Sequence, residues 1–219
     1  MLPPEHGPAI MVAPTREEWR VLRRALAPEL AAGKLRLEEC GVGPENAAAL
    51  CRRLEDEGWR GSLFLAGWAG GLSADLAAGS VVLARSALSL DGPPHACEQR
   101  HLPDARVGDI LTVSRALYTP EEKRRATATG ALAVEMEAYP IAAWAEAQGL
   151  PFVHARVVLD AADERLPDLS QVVDESGRLR WLALGRHPSL LLELARLYSR
   201  LRRLNPILAR LARQLVRPG

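Results

Sequence analysis

Residues 131–160 read ALAVEMEAYPIAAWAEAQGLPFVHARVVLD, and this stretch decides the fold. Its pattern predicts strand, helix, strand. Leu132, Ala133 and Val134 form a short apolar run. Pro140 is tolerated only in the first turn of a helix, where its missing N–H costs little. Ile141, Ala142, Trp144 and Ala145 would then share one helical face, and Gln148-Gly149 places a glycine where a C-terminal cap belongs. Residues 152–159 make the next apolar run, which ends on Asp160. Two carboxylates, Glu137 and Asp160, thereby fall at the carboxyl ends of two strands flanking one crossover. Open α/β sheets place their ligands at such ends.

The same alternation extends upstream. Residues 10–13 are a short strand, and TREEWRVLRRAL follows as a helix with Thr15 as N-cap and Glu18 three residues on, the spacing of a capping box. Residues 34–40 alternate as a strand before the turn and helix of GVGPENAAALCRRLEDEG. Residues 62–66 form a third strand that runs into GWAGGL; residues 80–84 and 109–113 add two more. Thr119-Pro120-Glu121-Glu122 starts another helix, and SLDGPPHACEQRHLPDAR, residues 89–106, reads as a loop or lid. Strands alternating with helices imply a three-layer α/β/α domain with a mixed, largely parallel sheet over residues 8–186. Residues 187–219 are set apart as a basic amphipathic helical tail.

Composition narrows the function classes. The 219 residues are 48% hydrophobic and 25% charged, with a formal net charge of +1. That balance is ordinary for a soluble globular protein and lacks the basic excess of a nucleic-acid binder. Cys40, Cys51 and Cys97 are odd in number and form no metal-ligand spacing, which suits a reducing, cytoplasmic setting. His95, Cys97 and His101 likewise lack a zinc spacing with a fourth ligand, so no metal is expected. Neither a signal peptide nor a spanning apolar segment is expected.

Four local features carry chemistry. Gly41-Val42-Gly43 sits at a strand–helix turn, but Asn46 stands where a dinucleotide fingerprint needs its third glycine, so a tight turn is the better reading. Gly67-Trp68-Ala69-Gly70-Gly71 puts three glycines after a buried strand, which favours a ligand wall with Ala69, Gly70 and Gly71 offering backbone N–H groups. Glu137 either answers the dipole of its helix or accepts hydrogen bonds from a vicinal diol. Asp160 either caps the following turn or acts as a general acid, with Val157, Val158 and Leu159 raising its pKa. Spacing alone does not choose.

Taken together, these segments resemble the nucleoside phosphorylase and nucleosidase superfamily. VEMEA at residues 134–138 is similar to that family's Met-Glu signature, which implies Met136 against a ribose and Glu137 on its hydroxyls. Arg156-Val157-Val158-Leu159-Asp160 with Asp163 resembles its Arg-x-x-Ser-Asp-x-x-Asp segment, making Asp160 the acid that protonates the base. AGWAGGL, CGVGPENAAA and TREEWRVL resemble three further family segments, and the last aligns Glu18 with the water-activating glutamate of the nucleosidases. TPEEKRRATATGALAVEMEA, LDAADERLP and the arginine-rich tail resemble the hopanoid-associated phosphorylases, which implies adenosylhopane as substrate with adenine leaving.

The resemblance implies cleavage of an N-glycosidic bond without a cofactor, by a homodimer, with inorganic phosphate as co-substrate if the reaction is phosphorolysis. Arg85 is then the candidate cation for phosphate, against a plain reading as a solvated surface charge. Trp68, Leu159 and Pro14 each depart from the family pattern and leave phosphorolysis and hydrolysis both open, with a nucleosidase of methylthioadenosine, adenosylhomocysteine or futalosine type, or a non-catalytic binding scaffold, as alternatives. In the tail, residues 188–219 hold seven arginines against one glutamate. Leu190, Leu191, Leu194, Leu197, Leu201 and Leu204 recur at helical spacing, and Asn205-Pro206 starts a second segment. Either the tail packs on the sheet, or it meets anionic lipid at the membrane face.

Overall fold

A computed structural model describes residues 8–168 and 188–217. The chain runs β1 (Ala9–Ala13), α1 (Arg16–Ala25), α2 (Ala27–Ala31), β2 (Leu35–Glu39), α3 (Pro44–Asp56), β3 (Leu63–Gly71), β4 (Val81–Leu88), β5 (His95–Ala96), β6 (Ala105–Thr112), α4 (Pro120–Ala126), β7 (Ala133–Glu135), α5 (Ala138–Ala147), β8 (Phe152–Asp160) and α6 (Pro188–Leu215). The expected capping box of Thr15 with Glu18 forms on α1, and Thr119 with Glu122 makes a second on α4.

The eight strands make one mixed sheet in the order β2-β1-β3-β7-β6-β4-β5, with β8 pairing β3 and β4. Alternate residues along a strand face opposite sides, and here the two sides have different partners. Ile10, Val12, Leu63 and Leu65 join Leu50, Leu54, Ile141 and Ala145 of α3 and α5. Met11, Ala13, Phe64 and Ala66 join Leu22 of α1 and Leu208, Leu211 and Leu215 of α6. Three layers result, as expected.

Several boundaries differ from the sequence reading, for identifiable reasons. Strand β3 does not stop at Ala66 but continues through the glycines to Gly71. It runs parallel to β8 up to a register shift at Ala69/Gly70 and then pairs antiparallel with β7 through Gly70–Val134 and Gly71–Ala133. So β7 and β8 are not a simple parallel crossover pair. They flank the same strand, one antiparallel and one parallel. Strand β6 begins at Ala105, and the segment read as a loop contains β5, whose His95 and Ala96 pair with Ala87 and Ser86.

The tail is corrected most. Helix α6 continues through Pro206 instead of restarting there. An interior proline costs a helix about 3 kcal/mol. Leu204, Leu208, Leu211 and Leu215 straddle it at helical spacing and are all buried, so packing outweighs the lost hydrogen bond. The division placed at residues 186 and 187 lies outside the described residues, but the second half of α6 belongs to the same core as α1 and the sheet.

Candidate active site

A cavity of about 220 Å³ opens where β1, β3, β6, β7 and β8 end, lined by Pro14, Thr15, Glu18, Val42, Trp68, Ala69, Gly70, Val113, Ala116, Leu117, Val134, Glu135, Met136, Glu137, Arg156, Leu159, Asp160 and Leu166. Glu18, Met136, Glu137, Ala69, Gly70 and Asp160, expected from six separate positions in the sequence, therefore meet in one place. Two expected residues do not line it. Gly71 is buried one step further along β3, where a Cβ would sit 3.1 Å from the Asp160 carbonyl oxygen. Arg85 projects from β4 outside the cavity, its side chain two-thirds exposed and its guanidinium bonded to both carboxylate oxygens of Asp109 at 3.1 and 2.7 Å. Opposite charge within reach on the neighbouring strand engages it there.

The cavity is built on a buried charge cluster. Arg156, on β8 and fully buried, donates to Glu135 and, at 3.0 Å, to Glu137, while its Nε donates to His154 Nε2 at 3.0 Å. Glu135 caps α5: it accepts from the backbone N–H groups of Glu137 and Ala138, each at 2.9 Å. Glu137, at the N-cap position, makes no capping bond with its side chain. That role having gone to Glu135, the Glu137 carboxylate is free to turn to the cavity, where it also accepts from Gly43 N–H at 3.0 Å. Gly43 has φ of +96°, a left-handed value that favours glycine, so the Gly41-Val42-Gly43 turn serves to aim one N–H at Glu137.

Glu18 is held by its own capping box, accepting from Thr15 N–H at 2.8 Å and Thr15 Oγ1 at 2.6 Å, and from the Trp68 backbone N–H at 2.7 Å. Gly67 explains how it fits, since a Cβ there would lie 2.2 Å from Glu18 Oε1 and 2.5 Å from Arg156 Nη1. The glycines of GWAGG thus make room for side chains as much as they expose backbone. The Trp68 N–H is taken by Glu18, and Gly70 and Gly71 sit in the ladder with β7.

Three carboxylates share one guanidinium in a water-poor site, and their pKa values spread accordingly. Burial raises Glu18, opposed by Arg156 and its hydrogen bonds. Burial pushes Glu137 up to about 8, with Arg156 opposing and Glu135 adding to the rise. Burial works on Glu135 too, but the Arg156 charge and the hydrogen bonds from the Thr112 hydroxyl and the Glu137 backbone outweigh it and leave Glu135 below the ordinary value. His154 is driven down to about 3 by burial and stays neutral.

Asp160 ends β8 and is 1% exposed. Its Oδ2 is bonded by the Lys123 ammonium of α4, whereas Oδ1 is buried with no hydrogen-bond partner in the protein. Burial raises its pKa, and the Lys123 charge works against that. A buried carboxyl oxygen without a partner is costly, and here it belongs to a residue lining the cavity, where a ligand donor or acceptor would satisfy it.

Arg156, Glu135 and Lys123 were assigned no role from the sequence. Arg156 had a signal, a cation inside the apolar run FVHARVVLD. Glu135 and Lys123 had none, because one precedes a more conspicuous glutamate and the other stands in the charged run PEEKRRA.

Comparisons with known proteins agree with the fold. Residues 94–180 match the family model described as Phosphorylase superfamily. No curated protein matches the chain in sequence. Among solved structures, the chain is similar to the 5′-methylthioadenosine/S-adenosyl homocysteine nucleosidase of Helicobacter pylori, with a TM-score of 0.61 at 18% identity over 73% of this chain and 88% of that one. The corresponding nucleosidase of Neisseria meningitidis, in complex with methylthio-immucillin-A, gives 0.61 at 23% identity over 71% and 87%. Futalosine hydrolase of Helicobacter pylori gives 0.59 at 17% identity over 72% and 86%. The fold is that of the nucleoside phosphorylases and nucleosidases.

Proposed function

We propose that this protein is an enzyme that cleaves the N-glycosidic bond of an adenine nucleoside, and that it does so by hydrolysis. The observation that carries the reading is Asp160, a buried carboxyl with one unpartnered oxygen, in the same cavity as the diol-binding candidate Glu137 and the carboxylate of Glu18. Asp160 protonates the base as the bond from C1′ to nitrogen breaks. Glu137 holds the ribose hydroxyls beside the developing ribosyl cation, and Met136 packs against the sugar. Glu18 takes a proton from the water whose oxygen bonds to C1′. One proton leaves Asp160 and one arrives on Glu18, so exchange with solvent restores the site.

Hydrolysis is favoured over phosphorolysis by charge. Among the described residues, Arg156 is the one cation lining the cavity, and two carboxylates already engage it. Such a site favours a neutral nucleophile over inorganic phosphate. Adenine release from adenosine and methylthioadenosine, with and without phosphate, tests this by chromatography. Release independent of phosphate is expected, and Asp160→Asn should lower kcat by about 10²–10⁴-fold, the usual worth of general acid catalysis. Release that requires phosphate would overturn the hydrolytic reading.

The finer reading is that the nucleoside carries an apolar 5′ substituent, as adenosylhopane does. Val42, Val113, Ala116, Leu117, Leu159 and Leu166 make much of the cavity wall apolar. Leu166 also borders a groove beneath Arg165, Arg196, Arg200 and Arg203, on the half of α6 where Leu191, Leu192 and Tyr198 are exposed. Basic side chains lining that groove and apolar ones exposed on the same half of α6 would suit an anionic lipid surface from which such a substrate is drawn.

A further inference from the structure

Lys123 is fully buried on a seven-residue helix whose other charged side chains are at the surface or at its cap. Burying an ammonium is costly unless every proton is matched. Here all three are directed to acceptors: Asp160 Oδ2, the Ala161 carbonyl at 2.6 Å and the Glu164 carbonyl at 3.0 Å. Arg200 reinforces the same turn from α6, reaching the Leu159 carbonyl at 3.3 Å and the Glu164 carboxylate at 2.7 Å. Glu164 in turn accepts from the Ala161 N–H at 3.0 Å. The structure thus clamps the end of β8 from two helices, and the clamp closes on one oxygen of the residue read as the general acid.

We propose that Lys123 is a positioning residue for the reaction, an ammonium that fixes Asp160 Oδ2 so that the proton to be donated sits on Oδ1, facing the base, and that stabilises the carboxylate left when that proton departs. The inference rests on the reading of Asp160 as general acid. Before the reaction Asp160 carries its proton on Oδ1 while Lys123 donates to Oδ2. The proton passes from Oδ1 to the base nitrogen as the glycosidic electron pair moves onto the base, and the resulting carboxylate faces an intact ammonium. Lys123 gives up no proton.

Among the described residues, the other charges that act on Asp160 are Glu164, which opposes ionisation, and Arg200, which favours it. Strand β3 presents Gly70 and Gly71 on its side, and Glu135, Glu137, Glu18 and Arg156 lie elsewhere along the cavity wall. Among the described residues, Lys123 is therefore the cation in direct contact with the acid. Removing its charge makes Asp160 a weaker acid that holds its proton to higher pH.

The test is the pH dependence of adenine release by the full chain carrying Lys123→Gln or Lys123→Met, beside wild type. Both variants should move the alkaline limb of kcat upward by about one pH unit and lower the kcat plateau by about tenfold or more, with KM changed by less than about threefold. Folded, active variants whose profile superposes on wild type would overturn the proposal. If neither variant folds, NMR of wild type labelled at lysine Cε decides: an ammonium at Lys123 across the active pH range supports the assignment, and a neutral amine refutes it. Wild type that releases adenine from no nucleoside would instead defeat the glycosidase reading, and the same NMR measurement would still decide the charge of Lys123.

Discussion

Glu18, Glu135 and Glu137 present three carboxylates to the single guanidinium of Arg156, so the ligand-free site cannot hold them all ionised cheaply. Glu135 keeps its charge through the closest contact, and Glu137 is the one pushed up to about 8. A folded-state pKa above the ordinary value of 4.5 means the native state binds the proton more tightly than the unfolded chain. The stability from that proton is complete below the unfolded value and is lost as pH rises through about 8. The melting temperature of the ligand-free protein should therefore fall across this window, and Glu137→Gln should flatten the fall while raising KM. Parallel melting curves for the two proteins would remove the assignment. Glu18, Glu137 and Asp160 were legible in the sequence because each stands at an element boundary within a recognisable segment. Lys123 was not, since a lysine in PEEKRRA looks like any solvated lysine until α4 is seen packed over the end of β8.

At the scale of elements, β3 does the most to assemble the site. Its first half is an ordinary buried strand, and its second half trades side chains for proximity. Gly67 leaves space for Glu18 and Arg156, and Gly70 lies under Asp160 and Val134. Gly67→Ala should cost about 1–3 kcal/mol of stability, as overpacking does. It should also lower kcat, because Glu18 and Arg156 must both move. Melting and kinetics check this together, and a variant as stable and active as wild type would show that neither group needs its place. The strand–helix–strand pattern of residues 131–160 was legible from periodicity, proline and glycine. The antiparallel turn of β7 against β3 was not, because three residues carry too little pattern to state a direction.

For the whole molecule, α6 unites two roles that a sequence division would separate. Leu204 to Leu215 at helical spacing is core, while the preceding half, with Arg196, Arg202 and Arg203 beside Leu191, Leu192 and Tyr198, faces outward. Deleting the helix would remove core and surface at once, so lipid contact is better tested by substitution. Full-length protein should float with anionic vesicles, and Leu191→Ser with Leu192→Ser should reduce flotation without lowering the melting temperature. Equal flotation of both, or none by wild type, would dismiss the surface. No helix among the described residues is long and apolar enough to cross a membrane.

Local chemistry was sufficient for what the sequence determined by itself: the alternating elements, the capping box of Thr15 and Glu18, and the helical stop at Gly149. Each depends on neighbours a few residues away, where covalent spacing sets the geometry. Only the tertiary structure decided that Arg85 belongs to Asp109, that Glu135 caps α5 and so frees Glu137, that Arg156 balances three carboxylates, and that Lys123 faces Asp160. Those pairings join residues from different elements, and the interaction of two charges follows the distance and burial that folding creates, not their separation along the chain.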